Sequence, residues 1–548
     1  MVAPEPSSPA GAGRGQAAVS AHAPLWRRRE VALTTGLALA ILVGALLVRL
    51  YGLNHYGLNS DEAVYAGQAA GLAGLSKYAH LFGLFRAHPL LVQLLISIVF
   101  RIAGVHAILA RDVCVLFGVG LVLMIGVVAG VIAGRWVALI AMLFTALSPY
   151  PIAISRQVLL DGPEAFFVAV YLVFLCLYVT RSRPIWLWAA SLAAGLAFLS
   201  KETAILIAPA FLIFLVLSPK VPLRWRELLI AGLIYLAAVV VYPLAELGAG
   251  KGGTGSDYIV WQVLRPPNHT LLFYFQIFGS IGWPIIAFAL VGLWVSLRRR
   301  TPIDMALVTL TALMFLFFEF WPTKGYEYLS PLVPPLMLLA TFGVVYCGTV
   351  LSRFLARHAA RVRMVTAPRA ATAISVAVVG LLIATSGPTL AAGSASGSFI
   401  IGTDSGQVTP GRVATLAGSG GLLAGRPAGE WVRARTLSDS VFVTIGPTFA
   451  NILEFYGLRR ALALSVSPNP LHRNPAYAPV VNADSLIRSG VVQYLVYDAY
   501  SAARSEHFAQ RLLELAHKFN GVIVYQYLGH ARPGSPRPGL VLIYQVSP

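Results

Sequence analysis

The chain has 548 residues, of which 57% are hydrophobic and 11% are charged, and its mean hydropathy is +0.74. This composition excludes an ordinary soluble protein. The formal net charge of +19 would indicate nucleic-acid binding in a soluble domain. Here the Lys and Arg residues form short clusters between apolar runs, as the positive-inside rule expects. The sequence therefore predicts a polytopic membrane protein with no nucleic-acid partner.

The N-terminal segment, residues 1–30, is rich in Pro, Gly, Ala and Ser and is predicted to be disordered and cytoplasmic. The sequence "WRRRE" then precedes a first apolar run, Val31 to Leu50. This run is too long for a cleaved signal peptide, so we expect a retained transmembrane helix.

Apolar runs continue to residue 390, and the region 31–390 is predicted to be an all-α membrane domain with about 11 transmembrane helices. Basic clusters such as "KVPLRWR" and "RRR" are placed in the cytoplasm. With those orientations, only one of the segments 88–104 and 113–132 can cross the membrane. The first begins at a proline and contains Arg101, so it is interpreted as a juxtamembrane helix in the outer interface.

Beyond residue 390 the composition changes. Residues 391–430 are Gly- and Ser-rich and are predicted to be a linker or loop. Residues 431–548 are predicted to form a small extracytoplasmic α/β domain. Its predicted strands are "DSVFVTIG", "VVQYLVYD", "GVIVYQYLG" and "GLVLIYQVS", and its predicted helices are "PTFANILEFYG" and "SEHFAQRLLELAHKF".

Ionisable side chains at membrane depth are expensive, and a functional role is the default interpretation of each. The predicted topology places several acids and bases on the outer side. The acids are Asp61, Glu62, Asp161 and Glu164, with Glu202, Glu246, Glu319 and Glu327 as weaker members, and the bases are Arg86, His88, Arg111, Arg156, Lys201 and Lys324. Cations can bind a phosphate and an unpaired carboxylate can accept a proton, so the cluster predicts a carboxylate-driven reaction on an anionic lipid substrate.

Short motifs then occur in a recognisable order. They are "RLYGLNHYGLNSDEAVYA", "FRAHPLLVQLL", "LSPYPIAISRQVLLDGPEAFF", "GLAFLSKETAILIAPAFL" and "WPTKGYEYLSPLVPPLMLL". In these motifs the chain resembles, over about residues 31–350, the GT-C glycosyltransferases of the protein-mannosyltransferase and aminoarabinose-transferase type. The resemblance implies a GT-C membrane domain, a polyprenyl-phosphate-linked sugar as donor and a hydroxyl acceptor outside the cytoplasm. The basic, Ala- and Gly-rich composition favours a high-GC bacterium and hence the plasma membrane.

The resemblance also implies residue roles. Asp61 matches the catalytic base of an inverting hexosyl or pentosyl transfer, and Asp161 matches a second acidic position. Lys201 and Lys324 match positions near the donor phosphate. The remaining assignments are Arg86 and Arg156 as further phosphate ligands, and Glu62, His88 and Tyr328 as substrate-binding or supporting residues. No cofactor is expected; a divalent cation is an alternative, for which His269 is a weak candidate because a partner acid is lacking.

Structural interpretations stand beside these roles. Glu62 could be a solvated loop acid, Asp161 could cap the helix that begins near Pro163, and Lys201 with Glu202 could form a surface pair. At the level of the whole protein, a lipid-linked-sugar transporter or flippase is the main alternative, followed by a sensor or scaffold and by an O-antigen ligase or polymerase. The catalytic assignment predicts that Asp61, Asp161, Lys201 and Lys324 share one outward cavity.

Overall fold

The computed structural model describes residues 25–54, 57–358, 376–377, 380, 424–528 and 540–548. The first described region is helical. Its α-helices are α1 (Leu25–Leu50), α2 (Ser60–Leu72), α3 (Ser76–Leu81), α4 (Leu91–Ala103), α5 (Ala107–Ala133), α6 (Arg135–Leu147), α7 (Pro149–Ser155), α8 (Asp161–Arg181), α9 (Pro184–Ser200), α10 (Ile207–Leu217), α11 (Trp225–Gly248), α12 (Thr254–Leu264), α13 (Phe273–Ile281), α14 (Trp283–Arg299), α15 (Pro302–Phe320) and α16 (Val333–His358). Two 3-10 helices, Glu202–Leu206 and Tyr326–Leu332, interrupt the series.

Within the described residues, 6 helices are long and apolar enough to cross a membrane, or up to 8 if each of two bent pairs is one span. The bent pairs are α6 with α7 and α13 with α14, and α9 is one of the shorter apolar helices. The chain is therefore a multi-pass membrane protein. The count of about 11 spans stays a prediction. Its last member, 371–390, falls almost entirely outside the described residues.

Helix α4 occupies most of the segment that was predicted to be juxtamembrane. It has 13 residues and is therefore about 20 Å long, too short for a bilayer core of about 30 Å. Val92, Ile96 and Phe100 are buried on one face, whereas Leu94 and Ile98 are exposed on the other. The exposed residues are as apolar as the buried ones, and the position of α4 along the interface stays a prediction.

Helices α14 and α16 approach each other closely where each carries a glycine. A Cβ atom on Gly292 would lie 1.8 Å from the carbonyl oxygen of Leu339, and one on Gly343 would lie 2.0 Å from that of Phe288. Small residues at such positions let membrane helices pack backbone to backbone. The contact fixes α16, whose preceding 3-10 helix carries residues of the candidate site.

Two predicted boundaries differ from the structure. Helix α1 begins at Leu25, inside the segment 1–30 that was predicted to be disordered; residues 1–24 lie outside the described part. A helix, Gly425–Arg435, begins inside the predicted linker 391–430. Arg433 and Arg435 give it a polar face, and Val432 is buried against the domain that follows.

The C-terminal region contains a 5-stranded sheet in the order β2-β1-β3-β5-β4. The strands are β1 (Val441–Thr444), β2 (Arg460–Ala463), β3 (Tyr494–Asp498), β4 (Val522–Tyr527) and β5 (Val541–Gln545). Strands β2, β1 and β3 are parallel, and β5 is antiparallel to both β3 and β4. The helices of this region are Gly425–Arg435, Pro447–Gly457, Ala483–Arg488, Ala499–Ala502 and Glu506–Lys518, with a 3-10 turn at Pro470–His472. Strand β2 was not predicted, because "RALA" is too short and too weakly apolar to show a strand pattern.

The C-terminal sheet region docks on the helical region through the helix Pro447–Gly457. Its residues Ile452 and Phe455 share a buried apolar cluster with α2, α3 and α4. Tyr456 accepts a hydrogen bond from the backbone N–H of Leu58 at 2.9 Å, and the Asn451 side chain donates to the Ser60 hydroxyl at 2.9 Å. The sheet region therefore contacts the chain immediately next to Asp61.

Candidate active site

The loop before α2 is held by Glu62, which is fully buried. Asn59 and Glu62 form a capping box at the start of α2. Arg111 contacts both carboxylate oxygens of Glu62, Nε to Oε1 and Nη2 to Oε2, each at 2.7 Å. The backbone N–H of Val158 donates to the same carboxylate at 3.0 Å. Glu62 thus joins the first loop to the loop that precedes α8, and it has a structural role instead of a solvated one.

Asp61, the neighbouring residue, faces an open cavity. It is exposed within that cavity, and among the described residues it has no hydrogen-bond or ion-pair partner. Protein surrounds the cavity, and the resulting desolvation raises the pKa of Asp61, while the nearby charges of His88 and Lys201 act in the opposite direction. An unpaired carboxylate with a raised pKa has the properties of a general base.

Residues from seven separate segments of the chain line this cavity, which has a volume of about 120 Å³. We call it the polar cavity. It is lined by Asp61, Val64, Tyr65, Gln68, Arg86, Ala87, His88, Leu159, Asp161, Lys201, Tyr258, Glu327, Tyr328, Asn474, Ala476 and Tyr477. The predicted residues Asp61, Asp161, Lys201, Arg86, His88 and Tyr328 therefore meet at one place.

Lys201 is positioned by a break between two apolar helices. Helix α9 ends at Ser200, Lys201 is extended with φ −155° and ψ 136°, and a 3-10 helix follows. Irregular backbone at such depth is tolerated where it lines a cavity. The Lys201 ammonium lies 2.6 Å from Asp161 Oδ1 and 4.5 Å from the ring centre of Tyr328. Asp161 thus orients the cation, which rules out Lys201 and Glu202 as merely a surface pair.

His88 and Arg86 are the other basic residues that line the polar cavity. His88 Nδ1 lies 2.8 Å from Glu202 Oε2, so Glu202 pairs with His88 and fixes the imidazole. Arg86 donates from Nη2 to the carbonyl oxygen of Leu81 at 2.8 Å. Its Nη1 is buried and has no hydrogen-bond partner in the described part of the chain. That nitrogen is available to an anionic ligand.

The structure does not bring Lys324 and Arg156 into the polar cavity. The Lys324 ammonium turns back onto the carbonyl oxygen of Glu319 at the end of α15 and lies 3.8 Å from Glu319 Oε2. Arg156 Nη1 donates to the carbonyl oxygens of Val48, Arg49 and Tyr51, where α1 ends. Both cations contact carbonyl oxygens at helix C-termini. The prediction that Lys324 shares one cavity with Asp61, Asp161 and Lys201 is therefore wrong.

Sequence reasoning missed several residues of the polar cavity. Tyr65 follows Asp61 by one helical turn, and Tyr258 lies on α12, in a segment where the sequence showed no motif. Glu327 was a weak member of the acidic set and lines the cavity. Asn474 and Tyr477 come from the C-terminal region, which nothing in the sequence connected to Asp61.

His269 does not fit a metal site. Its ring stacks on Phe273 with the ring centres 4.1 Å apart, and it does not line the polar cavity. No group of three His, Cys, Asp or Glu side chains that could hold a metal occurs among the described residues. We therefore derive no step through a metal, and the absence of a cofactor stays a prediction.

A larger apolar cavity, of about 610 Å³, adjoins the polar cavity. Both are lined by Ala87, His88, Lys201, Tyr258 and Tyr328. The walls of the apolar cavity are contributed mainly by α11, α12, α15 and the break at Lys201, and include Phe198, Ile205, Leu206, Val239, Tyr242, Pro243, Ile259, Phe317, Phe318 and Trp321. The pair of cavities can hold an amphiphile with its anionic head at Lys201 and Arg86.

Comparisons with known proteins agree with this arrangement. The family model for dolichyl-phosphate-mannose-protein mannosyltransferase matches residues 87–245. "Putative mannosyltransferase YkcB" of Bacillus subtilis (strain 168) is 30% identical over 156 residues, which are 28% of this chain and 21% of that protein. An uncharacterized protein of Aquifex aeolicus is 28% identical over 196 residues, 35% of this chain and 39% of that protein. The chain thus spans well under half the length of these curated relatives.

Solved structures share the fold over nearly the whole chain. ArnT from Cupriavidus metallidurans in the apo state gives a TM-score of 0.66 at 14% identity, covering 93% of this chain and 98% of that one. The oligosaccharyltransferase of Archaeoglobus fulgidus gives 0.57 at 15% identity, covering 93% and 74%. The chain therefore shares the fold of these structures over nearly its whole length, and residues 87–245 resemble the family of dolichyl-phosphate-mannose-protein mannosyltransferases in local sequence.

Proposed function

We propose that the protein transfers a sugar from a polyprenyl-phosphate donor to a hydroxyl acceptor, with Asp61 as the general base. The observation that carries this proposal is the unpaired Asp61 carboxylate in a polar cavity that also holds Lys201 and Arg86 and opens into an apolar cavity. A soluble sugar nucleotide would have no use for the apolar cavity. A lipid-linked sugar phosphate fits both.

The reaction follows from this placement. The acceptor oxygen attacks the anomeric carbon while the bond to the phosphate oxygen breaks, and the bonding electrons leave with the phosphate. Asp61 takes the hydroxyl proton. Because the phosphate departs as a stable anion, it needs charge stabilisation more than protonation, and Lys201 and Arg86 provide it. A single displacement on the face opposite the phosphate inverts the anomeric configuration.

The donor's lipid chain is assigned to the apolar cavity. Similar proteins support a lipid-linked donor: one ArnT structure is bound to undecaprenyl phosphate, at 18% identity and a TM-score of 0.62 with 93% of this chain and 98% of that chain covered. We place the reaction on the extracytoplasmic side of the plasma membrane, together with the C-terminal sheet region. The acceptor is a cell-envelope glycan, a lipid or a protein hydroxyl.

The test is incorporation of label from a panel of radiolabelled polyprenyl-phosphate sugars into membrane extracts. Asp61→Asn should reduce transfer by about 10²- to 10⁴-fold, the range of a lost general base. Asp257→Asn is the matched control, because Asp257 is exposed and does not line the polar cavity. Equal incorporation by wild type and Asp61→Asn at equal expression would remove Asp61 from the mechanism. Absence of transfer from every donor would contradict the enzyme proposal and favour a transporter.

A further inference from the structure

A third cavity lies where the C-terminal sheet region meets α3. It has a volume of about 360 Å³, within the range of roughly 300–1,000 Å³ of small-molecule sites. We call it the interdomain cavity. It is lined by His80, Leu81, Arg86, Ala450, Asn451, Glu454, Arg460, Ala461, Leu462, Ala463, Val466, Ala476, Tyr477 and Ala478.

The interdomain cavity adjoins the polar cavity. Arg86, Ala476 and Tyr477 line both. Asn451 donates from Nδ2 to the Tyr477 hydroxyl at 2.8 Å and to the Ser60 hydroxyl at 2.9 Å, so one wall is tied to the residue before Asp61. A ligand that occupied the interdomain cavity would reach Asp61 past Tyr477.

The lining offers donors, an acceptor and an aromatic ring. Arg460, the first residue of β2, is exposed and offers guanidinium donors, and Tyr477 offers its ring. Glu454 is buried, and its Oε1 accepts the backbone N–H of Ala461 at 3.2 Å. Burial raises the pKa of Glu454 to about 7, so near neutral pH this carboxyl can either donate or accept a hydrogen bond.

Such a lining matches a sugar more closely than it matches a lipid. Sugar hydroxyls donate and accept at once, and the C–H face of a pyranose or furanose packs on an aromatic ring such as Tyr477. A lipid tail would offer no hydrogen-bond partner to the Glu454 carboxyl or to Arg460. An extended peptide would pair with the free edge of β2, whose residues Arg460 to Ala463 also line the cavity, so peptide binding is the competing outcome of the experiment.

We propose that the interdomain cavity binds a sugar unit of the acceptor and presents its neighbouring hydroxyl to Asp61 past Tyr477. This inference rests on the proposed glycosyl transfer and narrows its acceptor to a glycan or glycolipid. The C-terminal sheet region thereby becomes part of the acceptor site, and Arg460 and Ala478 become specificity-determining positions.

The test uses the full-length protein in nanodiscs with two variants and two controls. Ala478→Trp fills the cavity from an exposed position, and Arg460→Gln removes an exposed donor. Ala503→Trp and Arg488→Gln make the same changes at exposed positions of the same region that do not line the cavity. Saturation-transfer NMR with methyl glycosides, disaccharides and a Ser/Thr-rich peptide measures binding independently of turnover.

A second measurement distinguishes an effect on acceptor binding from an effect on the reaction of the donor. With a glycoside acceptor, Arg460→Gln should raise KM for the acceptor by about 10-fold, as loss of a charge-assisted contact does. Ala478→Trp, which fills the cavity, should raise it by at least as much. The rate of donor hydrolysis without acceptor should not change. The controls should behave as wild type in both measurements.

The outcomes distinguish this inference from the proposed function. Glycoside binding that Ala478→Trp abolishes supports the inference even if no donor is turned over, in which case the proposed transfer alone fails. Equal glycoside binding by wild type and Ala478→Trp overturns the inference while the transfer reaction stands. Binding of the peptide alone, or of no glycoside at all, overturns the assignment of a sugar.

Discussion

The pair Glu62 and Arg111 allows a quantitative prediction about how the Asp61 loop is held. The two side chains are 0% and 6% exposed and make two charged hydrogen bonds of 2.7 Å. The carboxylate also accepts the backbone N–H groups of Asn59 and Val158, each at 3.0 Å. Glu62→Gln removes the charge and turns an amide NH₂ toward a donor, which leaves Arg111 buried without its counter-charge. Breaking such a pair costs about 3–5 kcal/mol.

The assay is denaturant unfolding of the purified protein in detergent, which gives the free energy of unfolding. Glu430→Gln provides the control, because Glu430 and Arg426 form an exposed pair, 58% and 40% accessible, and such pairs contribute about 0–1 kcal/mol. The double variant Glu62→Leu with Arg111→Met should recover part of the lost stability, because no charge is left buried while the N–H groups of Asn59 and Val158 lose their acceptor. If Glu62→Gln cost no more than Glu430→Gln, the structural role of Glu62 would be refuted.

Three further predictions concern pH and packing. Burial raises the pKa of Asp61, against the opposing charges of His88 and Lys201. On acidification, kcat/KM for transfer should therefore begin to fall at a higher pH than it would for an ordinary aspartate, whose pKa is about 3.9. A kcat/KM that stays level down to pH values below about 3.9 would contradict Asp61 as the base. Burial raises the pKa of Glu454 from 4.5 to about 7, so its contribution to stability is full below the unfolded pKa and is lost as pH rises through the folded pKa. In denaturant titrations, wild type should lose about 3 kcal/mol of unfolding free energy relative to Glu454→Gln between pH 4.5 and 7. Parallel pH dependence of the two proteins would refute this prediction. Gly343→Leu should lower the unfolding temperature, at a cost of at least about 1–3 kcal/mol from overpacking against the carbonyl of Phe288, whereas Gly232→Leu, with open space around its Cβ position, should not.

The local sequence predicted what depends on local chemistry. Hydropathy and charge predicted a multi-pass membrane protein, and the segment after Pro89 forms the 13-residue helix α4, whose place along the interface stays a prediction. In the C-terminal region, the predicted strands β1, β3, β4 and β5 coincide with those of the sheet. The motifs predicted that Asp61, Asp161 and Lys201 share one cavity, and all three line the polar cavity.

Side-chain direction was beyond the reach of the sequence. Adjacent carboxylates in "SDEAVY" have opposite roles, because the first turn of α2 turns Glu62 toward Arg111 and Asp61 toward the polar cavity. Lys201 and Lys324 both follow apolar helices, yet one pairs with Asp161 and the other turns back to the carbonyl of Glu319. The difference depends on which neighbouring element supplies an acceptor, and that neighbour is distant in sequence.

The sequence by itself determined that the protein lies in a membrane, that its membrane region is helical and which types of reactive group occur at its site. These properties depend on the length of apolar runs and on the few charged residues between them, which can be read locally along the chain. Only the tertiary structure decided which carboxylate is unpaired, which cations reach it, and that Tyr477 of the C-terminal region lines the same cavity. Those outcomes depend on contacts between segments separated by hundreds of residues, such as that of Asn451 with Ser60, and no local pattern encodes them.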